Sequence, residues 1–329
     1  MDSGLSTLTE LAQLLTTRPD REEPIQNAHP QEWTEISRLT ASPFFKFQPF
    51  TGKDQNLAQY GLLSSRHRNK WGITGNRCGK TLSGLFEDVC DCLGINPITK
   101  AASEKYDHPP RMWVVSDTEE TSIDTIERTV VEQILGDDET GLMWNWVDDS
   151  SKYSKKSGFS EHGLTFTTGA DIRFKFSTQK RKTFQGTRLD KVHLDEEQPP
   201  DIYSECRARL VDLEGYMLGT MTPIYDKSKG LSWIYEQLYL PREQKDIEFH
   251  NWSLFDNPFI PEAEKHKLIE EWDEDEVEAR VYGMFVPMGV KLALPRSLIR
   301  EIRASIEAPQ NGNIVYNEEG EITWHTQAA

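Results

Sequence analysis

The sequence is poor in cysteine, and the little it has is not arranged for cross-linking. Cys78, Cys90, Cys92 and Cys206 are the four present. They form no C-x-x-C pair and no disulfide framework, which fits a reducing, intracellular setting. Long apolar runs are also missing. None approaches the roughly 20 residues of a membrane-spanning helix, and the N-terminus lacks a secretory pattern. Positive charge is in deficit: 37 Lys and Arg stand against 54 Asp and Glu, a net charge of -17. That argues against a generic basic coat for nucleic acid. The eight histidines are scattered, with no zinc-ligand spacing and no nucleophilic triad. His193 alternates on an apolar stretch, so a satisfied core histidine is its default reading.

What remains is a chain of 329 residues, 36% hydrophobic, with mean hydropathy -0.63. That is enough for one large α/β domain plus a smaller appendage, in a soluble protein. Leu5, Leu8, Leu11 and Leu14-Leu15 give a short amphipathic helix, residues 17–30 a polar linker, and Trp33, Ile36 and Leu39 the start of a second helix. Residues 1–45 thus read as a helical, partly disordered arm, either docking a partner or serving as a mere arm. From residue 46 strands and helices alternate. Trp71 to Thr74, Met112 to Val115, Lys191 to Leu194 and Tyr216 to Thr220 read as strands. The segment 121–135 reads as a helix with Ile123, Ile126, Val130 and Ile134 on one face. Leu164-Thr165-Phe166 and Ile172 to Phe176 suggest a hairpin turning at Gly169-Ala170-Asp171. Such alternation predicts a mostly parallel sheet with helices on both faces. Residues 241–290 read as helical and acidic, and 305–329 as a small hairpin or a tail.

Gly75-Asn76-Arg77-Cys78-Gly79-Lys80-Thr81 reads as a phosphate-binding loop. It runs directly into a helix with Leu82, Leu85, Phe86, Val89 and Leu93 on one stripe and Gly94 as its stop. Glycines let backbone amides approach phosphates, and the helix N-terminus adds positive potential. Lys80 suits the β- and γ-phosphates, and Thr81 suits Mg²⁺. The first glycine position of G-x-x-x-x-G-K-[ST] holds Thr74, one residue before Gly75. Cys78 within the loop is either an alkylation target or, the favoured reading, a small filler.

Val192-His193-Leu194-Asp195-Glu196-Glu197 is the second motif. A strand ending in acids sets carboxylates at the sheet edge where ligands of parallel sheets bind. Asp195 would hold Mg²⁺, and Glu196 would polarise the water attacking the γ-phosphate, with Glu197 as its substitute. Arg77 is placed to meet developing charge in cis. Arg181 and Arg188 are candidate arginine fingers, in cis or toward a neighbouring subunit. Arg66, Arg68, Lys70, Lys180, Lys182 and Lys191 join them in a concentration of cations expected around the active face. Thr220-Met221-Thr222-Pro223 ends the next strand, where a hydroxyl of Thr220 or Thr222 can sense the γ-phosphate. Gln55 has an amide that can both donate to and accept from an adenine edge.

Together these motifs resemble the ATPase domain of the large terminase subunit of tailed bacteriophages. Gln55 sits where that family has its adenine-recognising glutamine, and the displaced first glycine is typical of its deviant phosphate loop. Phe184-Gln185-Gly186 before Asp195-Glu196-Glu197 resembles its approach to the acidic strand. Thr220 to Pro223 resembles its coupling motif. Asp256-Asn257-Pro258, then a helix ending in Glu278 to Gly283, is similar to the segment closing the ATPase half. The resemblance covers roughly residues 46–290. It implies a P-loop NTPase of the ASCE/RecA-like kind with a small helical lid or linker subdomain. The domains expected are the 1–45 arm, a 46–240 core, a 241–295 lid and a 296–329 linker or tail. ATP and Mg²⁺ are the implied cofactors. Double-stranded DNA, the portal protein, the small terminase subunit and further copies of the chain are the implied partners, in a ring on the portal. No membrane is expected, and the host cytoplasm is the implied location. The family's nuclease domain is expected to be absent, since residues 291–329 carry no cluster of strand-end acids.

Two rivals stand beside this reading. A helicase-like translocase on the same core would prefer single strands, yet no second motor domain is evident. A non-hydrolysing nucleotide-binding assembly module would have no need of a water-activating carboxylate such as Glu196.

Overall fold

Strands buried along nearly their whole length are those covered on both faces of a sheet. Here they make its centre. The computed structural model describes residues 42–53, 56–136, 142–224, 232–272, 274–285, 312–316 and 322–326. Most of the N-terminal arm, and Gln55, lie outside the described residues. The chain divides into two compact units, Met1–Val286 and Pro287–Ala329.

Among the described residues the first unit holds nine strands in chain order: β1 (Asn69–Thr74), β2 (Arg111–Ser116), β3 (Tyr153–Ser154), β4 (Gly158–Phe159), β5 (Gly163–Thr165), β6 (Asp171–Phe176), β7 (Lys191–Asp195), β8 (Tyr216–Met221) and β9 (Glu248–Trp252). β3 and β4 form a small ribbon, and the other seven make one sheet in the order β5-β6-β2-β7-β8-β1-β9. Every neighbouring pair in that sheet is parallel except β5 with β6. The parallel strands therefore all end on one edge. The chain leaves β1 there into residues 75–79, β7 into Glu196 and β8 into Thr222. One strand, β8, separates β1 from β7.

Helices cover both faces. The main ones are α1 (Ala58–Ser64), α2 (Lys80–Leu93), α3 (Pro200–Leu210), α4 (Glu262–Glu270) and α5 (Glu274–Tyr282). A further helical run over 119–135 is wound as a π-helix at Ser122–Glu127 and Val130–Leu135. Its Ile126, Val130 and Ile134 pack with Leu85, Phe86 and Val89 of α2 against Val114 and Phe174. On the opposite face Ile202 and Cys206 of α3, with Ile234 and Leu238, cover Trp71, Val115 and Leu194. α2 ends at Gly94, whose φ of 67° closes the helix as only a residue without Cβ does easily.

The expected 164–176 hairpin forms with Leu164 opposite Ile172. In the second unit, β10 (Gly312–Tyr316) and β11 (Ile322–Thr326) pair antiparallel, the small hairpin of the two readings offered for 305–329. Two readings change. The segment 241–290 is not helical throughout, because β9 adds an edge strand beside β1 before α4 begins. Lys70 and Lys191 are not surface cations at the active face. They are only 3% and 1% exposed, in ion pairs with Glu87, Asp88 and Asp91 of α2. Arg66 and Arg68 precede β1 and so lie toward the edge away from residues 75–79.

Candidate active site

Residues 75–79 link β1 to α2, and the surrounding fold fastens them from outside. Asn257 Nδ2 donates to the Arg77 carbonyl at 2.7 Å, Trp252 Nε1 to that of Cys78 at 2.9 Å, and Gln59 Nε2 to that of Gly79 at 3.0 Å. Backbone amides in such a loop can form a concave nest of the kind that suits an anion. The backbone is bent to do so, with φ of 59° at Arg77 and 71° at Gly79. A Cβ on Gly79 would lie 2.5 Å from Gln59 Nε2, and one on Gly75 only 2.4 Å from the Val281 carbonyl. The Asn76 amide donates to the Arg280 carbonyl at 2.6 Å. Asn251 Nδ2 reaches the carbonyls of Ile73, Tyr282 and Gly283. The end of α5 is thus tied to the loop through backbone atoms. Cys78 is fully buried, and burial pushes its thiol up to about 12, so it is a filler and not a reactive group.

The acidic end of β7 meets α2. Asp195 Oδ1 accepts the hydroxyls of Thr81 and Thr220, each at 2.8 Å. Glu196 has φ of 65° and is half-buried. Its Oε1 lies 3.0 Å from Lys80 Nζ, and its Oε2 accepts the Thr222 amide at 3.0 Å. Loss of hydration raises the Glu196 carboxyl above its ordinary range, even against the pull of Lys80. Burial works to lower the Lys80 ammonium, but Glu196 and Asp195 outweigh it and hold it raised. Glu197 turns instead to Ser232, which donates to it at 2.6 Å. Gln198 clasps the carbonyls of Asp195 and Glu196 and fixes this turn.

Among the described residues no group of three or more His, Cys, Asp and Glu forms a metal cage. The Thr81 hydroxyl and the Asp195 carboxylate are hard oxygen donors 2.8 Å apart. That pair suits Mg²⁺, which takes one or two protein oxygens and completes its shell with phosphate and water.

A cavity of 490 Å³ opens beside the loop, with Lys80, Thr81, Phe47, Phe50, Gln59 and Phe259 in its lining. Arg77, exposed, stands at its wall. The two other candidate arginines are engaged elsewhere: Arg181 with Glu205 at 2.7 Å and Arg188 with Asp212 at 3.0 Å. The fold therefore brings together Gly75 to Thr81, Asp195, Glu196, Thr220 and Thr222, and leaves Arg181 and Arg188 outside that cluster. Sequence reasoning missed Gln59, Asn251 and Trp252. Each acts on a backbone carbonyl, which leaves no signature in residue type. Asn257 carried a signal, since it lies within Asp256-Asn257-Pro258.

A phosphate loop on one strand, an acidic pair on another and a parallel sheet between helices define an α/β P-loop NTPase. The comparisons carry the likeness further. The chain is 27% identical over 234 residues to the large terminase subunit of Salmonella phage P22, covering 64% of this chain and 46% of that protein. It thus spans about half the length of this curated relative. The ATPase domain of the Thermus phage P74-26 large terminase superposes with a TM-score of 0.52 at 16% identity, over 77% of this chain and 98% of that one. The large terminase of a second thermophilic bacteriophage gives 0.54 at 14%, over 73% and 54%, and it has also been solved with ADP and with ATP-γ-S. No protein-family model matches the chain. The similarity is to a large terminase subunit, and specifically to its ATPase domain, as the motifs implied.

Proposed function

We propose that this chain is the ATPase motor of a viral terminase, hydrolysing ATP to move double-stranded DNA into a procapsid. The observation that carries the reading is the pairing of Lys80 with Glu196 and of Thr81 with Asp195 beside the loop of residues 75–79. The triphosphate would lie along the amides of residues 77–81, since the Asn76 amide is held by the Arg280 carbonyl, with the base toward Phe47 and Phe50. Gln55 keeps the adenine role assigned from the motif. Mg²⁺, held by Thr81 and Asp195, would neutralise the phosphate oxygens. Lys80, now paired with Glu196, would turn to the β- and γ-phosphates as they enter. Glu196, released from that pair, would accept a proton from the attacking water. Its raised carboxyl makes it a better base than an ordinary glutamate. Arg77 would face the developing charge in cis. Arg181 and Arg188 would serve a neighbouring subunit only after their ion pairs open.

Thr222 is suited to report loss of the γ-phosphate. Its amide holds Glu196 and its hydroxyl is buried without a partner among the described residues. α4 and α5 would act as the lid. Contact with DNA is supported by the stretch 172–189, which holds six Lys and Arg and no acid in a chain of net charge -17. Portal, small subunit, a ring of copies and the host cytoplasm follow from the terminase reading. Among the described residues no helix is long and apolar enough to cross a membrane.

The test is Mg²⁺-dependent ATP hydrolysis by the chain and by Glu196→Gln, with and without duplex DNA. Turnover stimulated by duplex and lost in the variant is the expected result. Turnover that survives Glu196→Gln refutes the base, and stimulation by single strands alone favours a helicase-like translocase.

A further inference from the structure

His193 is, as expected, a core histidine with a partner for each ring nitrogen. Its ring is fully buried in β7, with Nδ1 2.6 Å from Asp88 Oδ2 and Nε2 2.8 Å from Thr220 Oγ1. Thr220 in turn donates to Asp195 Oδ1, the oxygen that also accepts from Thr81. Asp88 is held from its other oxygen by Lys191 at 2.8 Å, and Lys191 also reaches Glu87 and Asp91. The imidazole thus joins α2, β7 and β8 in one chain of contacts ending at Asp195. α2 is cut away to admit it, since a Cβ on Gly84 would stand 2.3 Å from the His193 ring.

We propose that His193 is a positioning residue that sets the cation-binding oxygen of Asp195 through Thr220. The inference rests on the ATPase reading above. When the Thr81 hydroxyl turns to a cation, Asp195 Oδ1 loses one of its two hydrogen bonds. The Thr220 bond then fixes the carboxylate alone, and the direction of that hydroxyl is set by His193. Partners one step behind a metal ligand commonly change metal affinity by about 10- to 100-fold. A merely structural histidine would lower stability and leave the cation's affinity unchanged.

The experiment measures Mn²⁺ affinity by electron paramagnetic resonance in the presence of ATP-γ-S, beside metal-free nucleotide binding and thermal melting. His193→Gln, Thr220→Val, their double variant and Thr220→Ser are compared with the wild type. The expected result is Mn²⁺ binding weakened about 10-fold in each single variant, with metal-free nucleotide binding retained. The double variant should be no worse than either single one, and Thr220→Ser should bind Mn²⁺ like the wild type. Should His193→Gln not fold, Gly84→Ala carries the test by crowding the ring without removing it, and the same weakening is expected. Unchanged Mn²⁺ affinity, or losses that add, overturn the inference and leave the ATPase reading standing. A wild-type chain that binds neither nucleotide nor Mn²⁺ overturns both.

Discussion

In the proposed reaction turnover depends on Glu196, and the environment of that residue makes a signed prediction. Dehydration raises its carboxyl above the ordinary 4.5. A base acts only when deprotonated, so kcat/KM should fall as pH drops through that raised value. The acid limb of the pH profile should therefore stand above 4.5 and should track the free enzyme. A limb at or below 4.5 would mean another group is the base. Lys80→Ala should weaken ATP binding by about 1.5–3 kcal/mol, the worth of hydrogen bonds to a charged group, as read by titration calorimetry. That Lys80, Thr81, Asp195 and Glu196 would lie together was legible in the sequence, because the proposed phosphate and cation chemistry calls for those residue types at those spacings. Gln59 was not. Its amide grips the Gly79 carbonyl, and any residue offers a carbonyl.

At the scale of elements, α2 departs most from its pattern. Periodicity predicted one apolar stripe, yet Glu87, Asp88 and Asp91 on its other side are buried as well. Lys70 and Lys191 are brought to those acids by the parallel strands β1 and β7, and Lys105 by the connection between α2 and β2. Lys191→Met would leave carboxylates buried without their cation and should cost about 3–5 kcal/mol in denaturant unfolding. The burial that would raise Glu87 and Asp88 is overcome by these cations, and both are held below their ordinary values. Their stabilisation is full above the unfolded values of 4.5 and 3.8 and is lost as pH falls through the lower folded ones. Acid unfolding should begin at higher pH in Lys191→Met than in the wild type. β9 escaped the sequence reading for a related reason. Glu248, His250 and Asn251 give it an edge strand's polar character, and its pairing with β1 is decided by the sheet.

The whole molecule carries its charge unevenly. The acidic excess governs solubility, while 172–189 offers cations alone, with Lys180 and Lys182 exposed. If this stretch contacts the DNA backbone, the double variant Lys180→Ala/Lys182→Ala should lower the salt slope of duplex binding by about 2 and leave ATP affinity unchanged. An unchanged slope would move the DNA contact elsewhere. The class of the fold was readable at this scale, because alternating strands and helices allow few arrangements.

The outward fastening of the Arg77, Cys78 and Gly79 carbonyls has a further consequence. The three donors come from α1, β9 and the loop after β9, so on the proposed reading the receptor for the triphosphate is held in shape by the fold itself. Little ordering entropy remains to oppose binding. Recognition of the polyanion is thereby separable from recognition of the base, and inorganic tripolyphosphate should compete with ATP for the chain.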